Sequence, residues 1–181
     1  MNVKPALVKA RLLEIEGGKI RANFAGKKEI AELLGRKYIS RKGAGFSLTE
    51  KGRKAVKIVM TGGVFDIIHL GHVQTLENAR KMGDALVVVV AHDATVRRQK
   101  GRKALHSAQE RAALLQALRC VDLALVGHPK DREVTVRRVR PDIVVFGYDQ
   151  KHDMKLKAKV MRLRTRLKGR AFKTSRLIDD M

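Results

Sequence analysis

The sequence predicts an open α/β domain over residues 56–181, built on a parallel sheet and preceded by a small, strongly basic domain over 1–55. Three observations predict it. From Lys57 onward, short apolar runs alternate with amphipathic stretches. The runs are near-continuous, as in Ala85-Leu86-Val87-Val88-Val89-Val90, which is the pattern of strands covered on both faces. The stretches between them have helical spacing, and strands separated by helices imply right-handed crossovers in a parallel sheet.

In the leading segment two short helical patterns, about 4–15 and 26–35, come first. Tyr38 and Ile39, then Phe46 and Leu48, flank a basic turn containing Gly43 and Gly45, which signals a hairpin. Thr49 follows as the expected N-cap of a short helix. The string Leu48-Thr49-Glu50-Lys51-Gly52 resembles the segment that often follows the wing of a winged-helix domain, so 1–55 is expected to be winged-helix-like. In the main domain, strands are expected at about 57–61, 85–91, 122–127 and 142–146, and helices at about 70–82, 107–119, 131–139 and 151–167. The helix assignments rest on one-sided spacing: Ala108, Ala112, Leu115 and Leu118 share a face, as do Leu156, Val160, Leu163 and Leu167. Between 155 and 164 basic and apolar residues nearly alternate, so a basic strand competes with the helix there.

Composition narrows the function classes. The hydrophobic fraction is 44% with no tryptophan and three prolines, so aliphatic side chains build the core and long disordered tracts are not expected. Cys120 is the single cysteine and has no intramolecular partner, which fits a reducing cytoplasm. The longest apolar stretch, Ala85 to Ala91, is too short to cross a bilayer, and no secretory leader pattern follows Met1. The net charge of +22 is concentrated at the ends: residues 1–55 carry 14 basic and 5 acidic groups, 56–150 carry 15 and 10, and 151–181 carry 11 and 3. Such an excess points to polyanionic ligands, either nucleotide phosphates or nucleic acid.

The chemistry concentrates in Gly62-Gly63-Val64-Phe65-Asp66-Ile67-Ile68-His69-Leu70-Gly71-His72. Val59-Met60-Thr61 ends a strand, Gly62-Gly63 permits a tight turn, and His69-Leu70-Gly71-His72 opens a helix. That arrangement aims backbone N–H groups and a positive helix end at an anion. Gly71 allows close approach of a phosphate, and the two histidines, three apart, lie on one side of the helix. Imidazoles so placed can donate hydrogen bonds to oxygens on which charge grows during phosphoryl attack.

The pattern Gly63-x-Phe65-Asp66-x-x-His69-x-Gly71-His72 resembles the signature of the cytidylyltransferase-like nucleotidyltransferases, and the resemblance runs from about Lys57 to the C-terminus. Further matches are Gly83-Asp84, Lys100 and Arg102, Ser107, Glu110-Arg111, Arg119-x-Val121-Asp122, and Lys173-Thr174-Ser175-Arg176-Leu177-Ile178. Within that superfamily the sequence is most similar to the archaeal-type FAD synthases, through Val90-Ala91-His92-Asp93-Ala94-Thr95-Val96 and Phe146-Gly147-Tyr148-Asp149-Gln150. It departs from them in lacking cysteines near the C-terminus.

The resemblance implies a Rossmann-like sheet and transfer of AMP from ATP to FMN. It implies nucleotide contacts from Val64, Phe65, His69, Leu70, Gly71, His72 and Asp149, with Thr174 and Ser175 holding the distal phosphates. His69 and His72 would stabilise the transition state. Asp66, Lys100, Arg102, Arg111 and Arg119 would serve the phosphates or the acceptor, and Mg²⁺ would arrive on the triphosphate. Phe65, Tyr148 and Phe172 are the candidates for stacking near a flavin. A CTP-dependent cytidylyltransferase acting on a phospho-alcohol such as glycerol 3-phosphate shares nearly all these motifs. A nucleic-acid-binding regulator that uses the domain as a ligand sensor is the alternative from another class, with DNA met by the N-terminal domain. A homodimer is the expected assembly.

Overall fold

The computed structural model describes residues 2–147 and 158–162, and the chain divides into two compact units, 1–57 and 58–181. Among the described residues no helix is long and apolar enough to cross a membrane.

Unit 1 runs α1 (Lys4–Glu16), β1 (Ile20–Arg21), α2 (Lys27–Gly35), β2 (Ile39–Lys42), β3 (Gly45–Leu48) and α3 (Glu50–Lys54). Its strands form an antiparallel sheet in the order β1-β3-β2. Helix α1 has Pro5 in its first turn and stops at Gly17, whose φ of 83° is left-handed. Thr49 caps α3 as its sequence position predicts: its Oγ1 accepts from the Gly52 N–H at 3.0 Å and donates to the Lys37 carbonyl at 2.7 Å. The structure also explains the glycine of that string, because a Cβ at Gly52 would stand 2.0 Å from the Tyr38 carbonyl oxygen. Buried Leu7, Ile15, Ile20, Phe24, Leu33, Ile39 and Leu48 form the core.

Unit 2 runs β4 (Ile58–Gly63), α4 (Leu70–Arg80), β5 (Ala85–Val90), α5 (Asp93–Lys100), α6 (Ala108–Gln116), β6 (Leu123–Val126), α7 (Arg132–Val139), β7 (Ile143–Phe146) and β8 (Lys159–Arg162). Every pairing in the five-stranded sheet, ordered β6-β5-β4-β7-β8, is parallel. The chain builds outward from β4 in one direction through β5 and β6, then crosses back to place β7 on the other side of β4. The strand order thus reverses at β4 and β7, the kind of switch point at which ligands of open α/β sheets bind beyond the C-terminal strand ends. One face of the sheet carries Val59, Leu86, Val88, Val90 and Val145, packed against Leu76 and Ala79 of α4 and Ala108 and Leu115 of α6. Ile58, Met60, Val87 and Val144 are buried as well, so the strands are covered on both faces, as their unbroken apolar runs predict.

Three expectations change. Gly62 and Gly63, expected to form a tight turn after Thr61, are the last two residues of β4, paired with Val89 and Val90, and the chain turns only after them. The helix expected over 151–167 is not formed at 159–162, where Lys159–Arg162 is instead a strand paired in parallel with β7, Val144 opposite Val160. The near-alternation of basic and apolar residues carries the two-residue period of a strand, and lysine and arginine suit an exposed sheet edge. The rest of that span lies outside the described residues. Helix α5 was not expected. Its sequence, Asp93-Ala94-Thr95-Val96-Arg97-Arg98-Gln99-Lys100, has too few apolar positions for periodicity to reveal, but its ends are marked by His92, whose Nδ1 accepts from the Ala94 N–H at 3.1 Å, and by left-handed Gly101.

Candidate active site

The site is assembled where β4 ends. Thr61, the last bulky residue before the glycines, is buried and donates its hydroxyl to the Val145 carbonyl at 2.8 Å, which locks the exits of β4 and β7 together. The chain then turns sharply: Phe65 has a φ of 52°, an uncommon conformation for a residue with a Cβ. Burial of its ring in the sheet-helix core accompanies that backbone. Gly63 is the complement, since a Cβ there would lie 3.0–3.1 Å from the Phe65 ring.

Asp66 is buried and looks inward. Its carboxylate accepts from the Leu105 N–H at 2.8 Å and from Arg102 at 2.9 Å, so it fastens the 101–107 loop beside the β4 turn. Arg102 is thereby brought to the site and remains partly exposed. Lys100 sits at the end of α5, exposed, where that loop begins.

His69 is the N-cap residue of α4 and His72 lies within its first turn. The two rings stack with centroids 3.9 Å apart and planes 26° apart, and the Phe65 ring meets His72 edge-on at 5.2 Å. Burial holds the His69 imidazole below its ordinary pKa, so it is neutral at pH 7 and carries a single N–H donor. Leu70 and Gly71 supply the first two backbone N–H groups of α4, which no helix can satisfy internally. Two imidazoles and a helix start thus converge on one place, suited to hold and polarise an anion.

Arg111, expected to meet phosphate, is fully buried. Its guanidinium donates to the Val64 carbonyl, to the Ala91 carbonyl at 3.0 Å, to the His106 carbonyl at 3.0 Å and to the Asp93 carboxylate at 2.6 Å. These four acceptors lie on the β4 exit, the β5 exit, the loop before α6 and the first turn of α5. Arg111 is a strut between the segments that frame the site, with its donors turned to protein. Asp93 is its counter-charge and also accepts from the Ala108 N–H at 3.1 Å. Burial pushes the Asp93 carboxyl up, but the Ala108 N–H and Arg111 more than reverse this and leave it below the usual carboxylate range. Sequence reasoning missed Asp93 as a site-framing residue. The available signal was an acid in the first turn after a strand.

Arg119 is not brought to the site. It follows α6 and precedes β6, where the Asp122 N–H bonds the Leu86 carbonyl at the start of β5. That is the other end of the sheet, about 20 Å away along a six-residue strand. Asp149, Thr174 and Ser175, with Tyr148 and Phe172, lie outside the described residues.

With this geometry in place, the comparisons decide the family. The cytidylyltransferase-like family matches residues 60–178. The chain belongs to the cytidylyltransferase-like family. Among curated members it is similar to the FAD synthase of Thermococcus sibiricus, 41% identical over 141 residues that span 71% of this chain and 94% of that one. The FAD synthase of Aciduliprofundum boonei is 49% identical over 116 residues, 59% of this chain and 77% of the relative. Among solved structures, the lipopolysaccharide core biosynthesis protein of Thermoplasma volcanium has a TM-score of 0.56 at 42% identity, covering 60% of this chain and 96% of that one. The cytidylyltransferase-like match begins at Met60, so unit 1 stands outside it.

Proposed function

We propose that this nucleotidyltransferase is an FMN adenylyltransferase, transferring AMP from ATP to FMN to yield FAD and pyrophosphate. The observation that carries the reading is the His69–His72 pair at the start of α4, beside the strained Phe65 turn, in a chain whose curated relatives are FAD synthases. An FMN phosphate oxygen attacks the ATP α-phosphorus. The new P–O bond forms as the bond from that phosphorus to the β-phosphate oxygen breaks, and pyrophosphate leaves with the electron pair. A phosphate monoester is largely ionised at pH 7, so the nucleophile needs no general base. What the protein supplies is position and stabilisation of growing oxygen charge.

In this reading the N–H groups of Leu70 and Gly71, the backbone of Val64 and Phe65, and the His69 and His72 imidazoles receive the triphosphate. Arg102, set by Asp66, and Lys100 neutralise phosphate. Asp149, Thr174 and Ser175 are assigned to the nucleotide by their family motif positions, the last two to its leaving end. Mg²⁺ comes as part of the substrate, held by triphosphate oxygens. A cytoplasmic location fits these substrates.

The test is a matrix of ATP or CTP against FMN, glycerol 3-phosphate and other phosphate acceptors, following pyrophosphate and the adenylylated or cytidylylated product. Pyrophosphate and FAD should appear together only with ATP and FMN. Turnover with CTP and glycerol 3-phosphate, and none with ATP and FMN, contradicts the reading.

A further inference from the structure

Unit 1 holds 15 basic and 5 acidic residues, and it sorts them. Glu14 pairs with Arg11 at 2.7 Å and with Arg53; Glu50 pairs with Arg53 at 2.7 Å. These join α1 to α3. On α2 both carboxylates are also engaged: Glu29 accepts from the Gly26 N–H at 2.9 Å, and Glu32 pairs with Arg36. From Leu33 to Thr49 there is no acidic residue. Lys27, Lys28, Lys37, Arg41 and Lys42 are exposed and, among the described residues, form no ion pair.

These basic groups follow the chain from the start of α2 to the tip of the β2–β3 hairpin, where Arg41, Lys42, Gly43 and Ala44 are all exposed. The open side of α2 carries Lys27, Lys28, Ala31 and Gly35, a basic end followed by small residues that let a helix approach a surface closely. Lysines in the first turn of a helix oppose its dipole. A bound phosphate reverses that cost.

We propose that unit 1 binds duplex DNA through α2 and the β2–β3 hairpin. The features that other polyanions demand are missing from the described surface of this unit. It exposes no large hydrophobic side chain to enter a bilayer interface. It offers no open aromatic platform for single-stranded bases either: Phe24 is buried, Phe46 lies against Phe24 and Arg41, and Tyr38 lies under Lys51. A helix with a low-profile open side fits the B-form major groove, whereas the A-form RNA major groove is too narrow to admit it.

The experiment uses the full chain and a labelled mixed-sequence duplex, with binding measured across about 50–200 mM KCl. Lys27→Glu with Lys28→Glu, and Arg41→Glu with Lys42→Glu, should each weaken binding at least about tenfold and lower the log–log salt slope by about 0.9 for each phosphate no longer engaged. The milder Lys→Gln and Arg→Gln pairs should act in the same direction, which separates weakened phosphate binding from misfolding by charge reversal. A control reversal of Lys130 and Arg132, exposed in unit 2, should leave binding unchanged, and all these variants should keep wild-type FAD formation. Equal duplex binding by wild type and the unit 1 variants overturns the proposal, as does absence of binding at the lowest salt. Stronger competition by single-stranded RNA or by anionic phosphatidylserine vesicles than by duplex overturns it in favour of that partner. Because the readout is DNA binding, it stands or falls independently of the adenylyltransferase assignment.

Discussion

At the N-terminal end of the parallel sheet, Asp142 accepts from the Ile58 N–H and Asp122 from the Leu86 N–H, each at 2.7 Å, so side-chain carboxylates close donors at the starts of β4 and β5. Arg80 then neutralises Asp122 at 2.7 Å. At the C-terminal end the arrangement is reversed. A buried arginine gathers the carbonyls of Val64, Ala91 and His106, Asp66 holds a loop, and α4 starts beside two stacked imidazoles. One end uses its polar groups to close the fold; the other uses charged side chains to hold the loops beside the start of α4. The proposed reaction draws on the second end, whereas Arg119, for all its motif position, lies at the first.

The largest effect that separates the two ends is catalytic. His72→Ala and His69→Ala should each lower kcat by about 10²–10³ with little change in ATP affinity, since the imidazoles act on charge that appears only in the transition state. Wild-type turnover in His72→Ala, measured by pyrophosphate release, breaks the comparison. Arg111→Met should cost about 3 kcal/mol of stability, because it strands Asp93 and three carbonyls without their buried donor. It should also lower kcat, whereas Arg119→Ala should change neither beyond about 0.5 kcal/mol. Denaturant melts and kinetics on both variants check this. Asp122→Asn, at the closed end, should cost about 1 kcal/mol and leave kcat unchanged; a large loss of kcat without a loss of stability would show that the N-terminal end takes part in the chemistry.

The smallest effect concerns pH. The folded pKa of His69 lies below the unfolded value of 6.5 because burial disfavours the imidazolium. Well above pH 6.5 both states are neutral there and the group contributes no pH dependence. As pH falls below 6.5 the unfolded state takes up a proton that the folded state resists, so stability drops. The melting temperature of wild type should therefore fall more between pH 7 and pH 5.5 than that of His69→Gln. Equal falls would show that His69 is not held neutral by burial.

Much of this was legible in the sequence because it rests on local rules. Unbroken apolar runs declare two-sided strands, and His69 and His72 declare a helix start, whereas Gly62 and Gly63, expected to form the turn, continue β4 opposite Val89 and Val90 and the chain turns after them at Phe65. Thr49 declares a cap, and its hydroxyl accepts from the Gly52 N–H. What escaped was set by long-range partners. Arg111 looks in sequence like any phosphate-seeking arginine, and only the convergence of Val64, Ala91, Asp93 and His106, from 5 to 47 residues away, makes it a strut. Strand β8 escaped because helical spacing and near-alternation coexist over 155–164, and pairing with β7 decided between them at 159–162.

The most direct test of the account follows the α-phosphorus of ATP. With ATP labelled at that atom and FMN as acceptor, label should pass into FAD in step with pyrophosphate release in the wild type and in Asp122→Asn. In His72→Ala it should pass about 10²–10³ times more slowly. Label that never reaches FAD in the wild type, or that reaches it equally fast in His72→Ala, contradicts it.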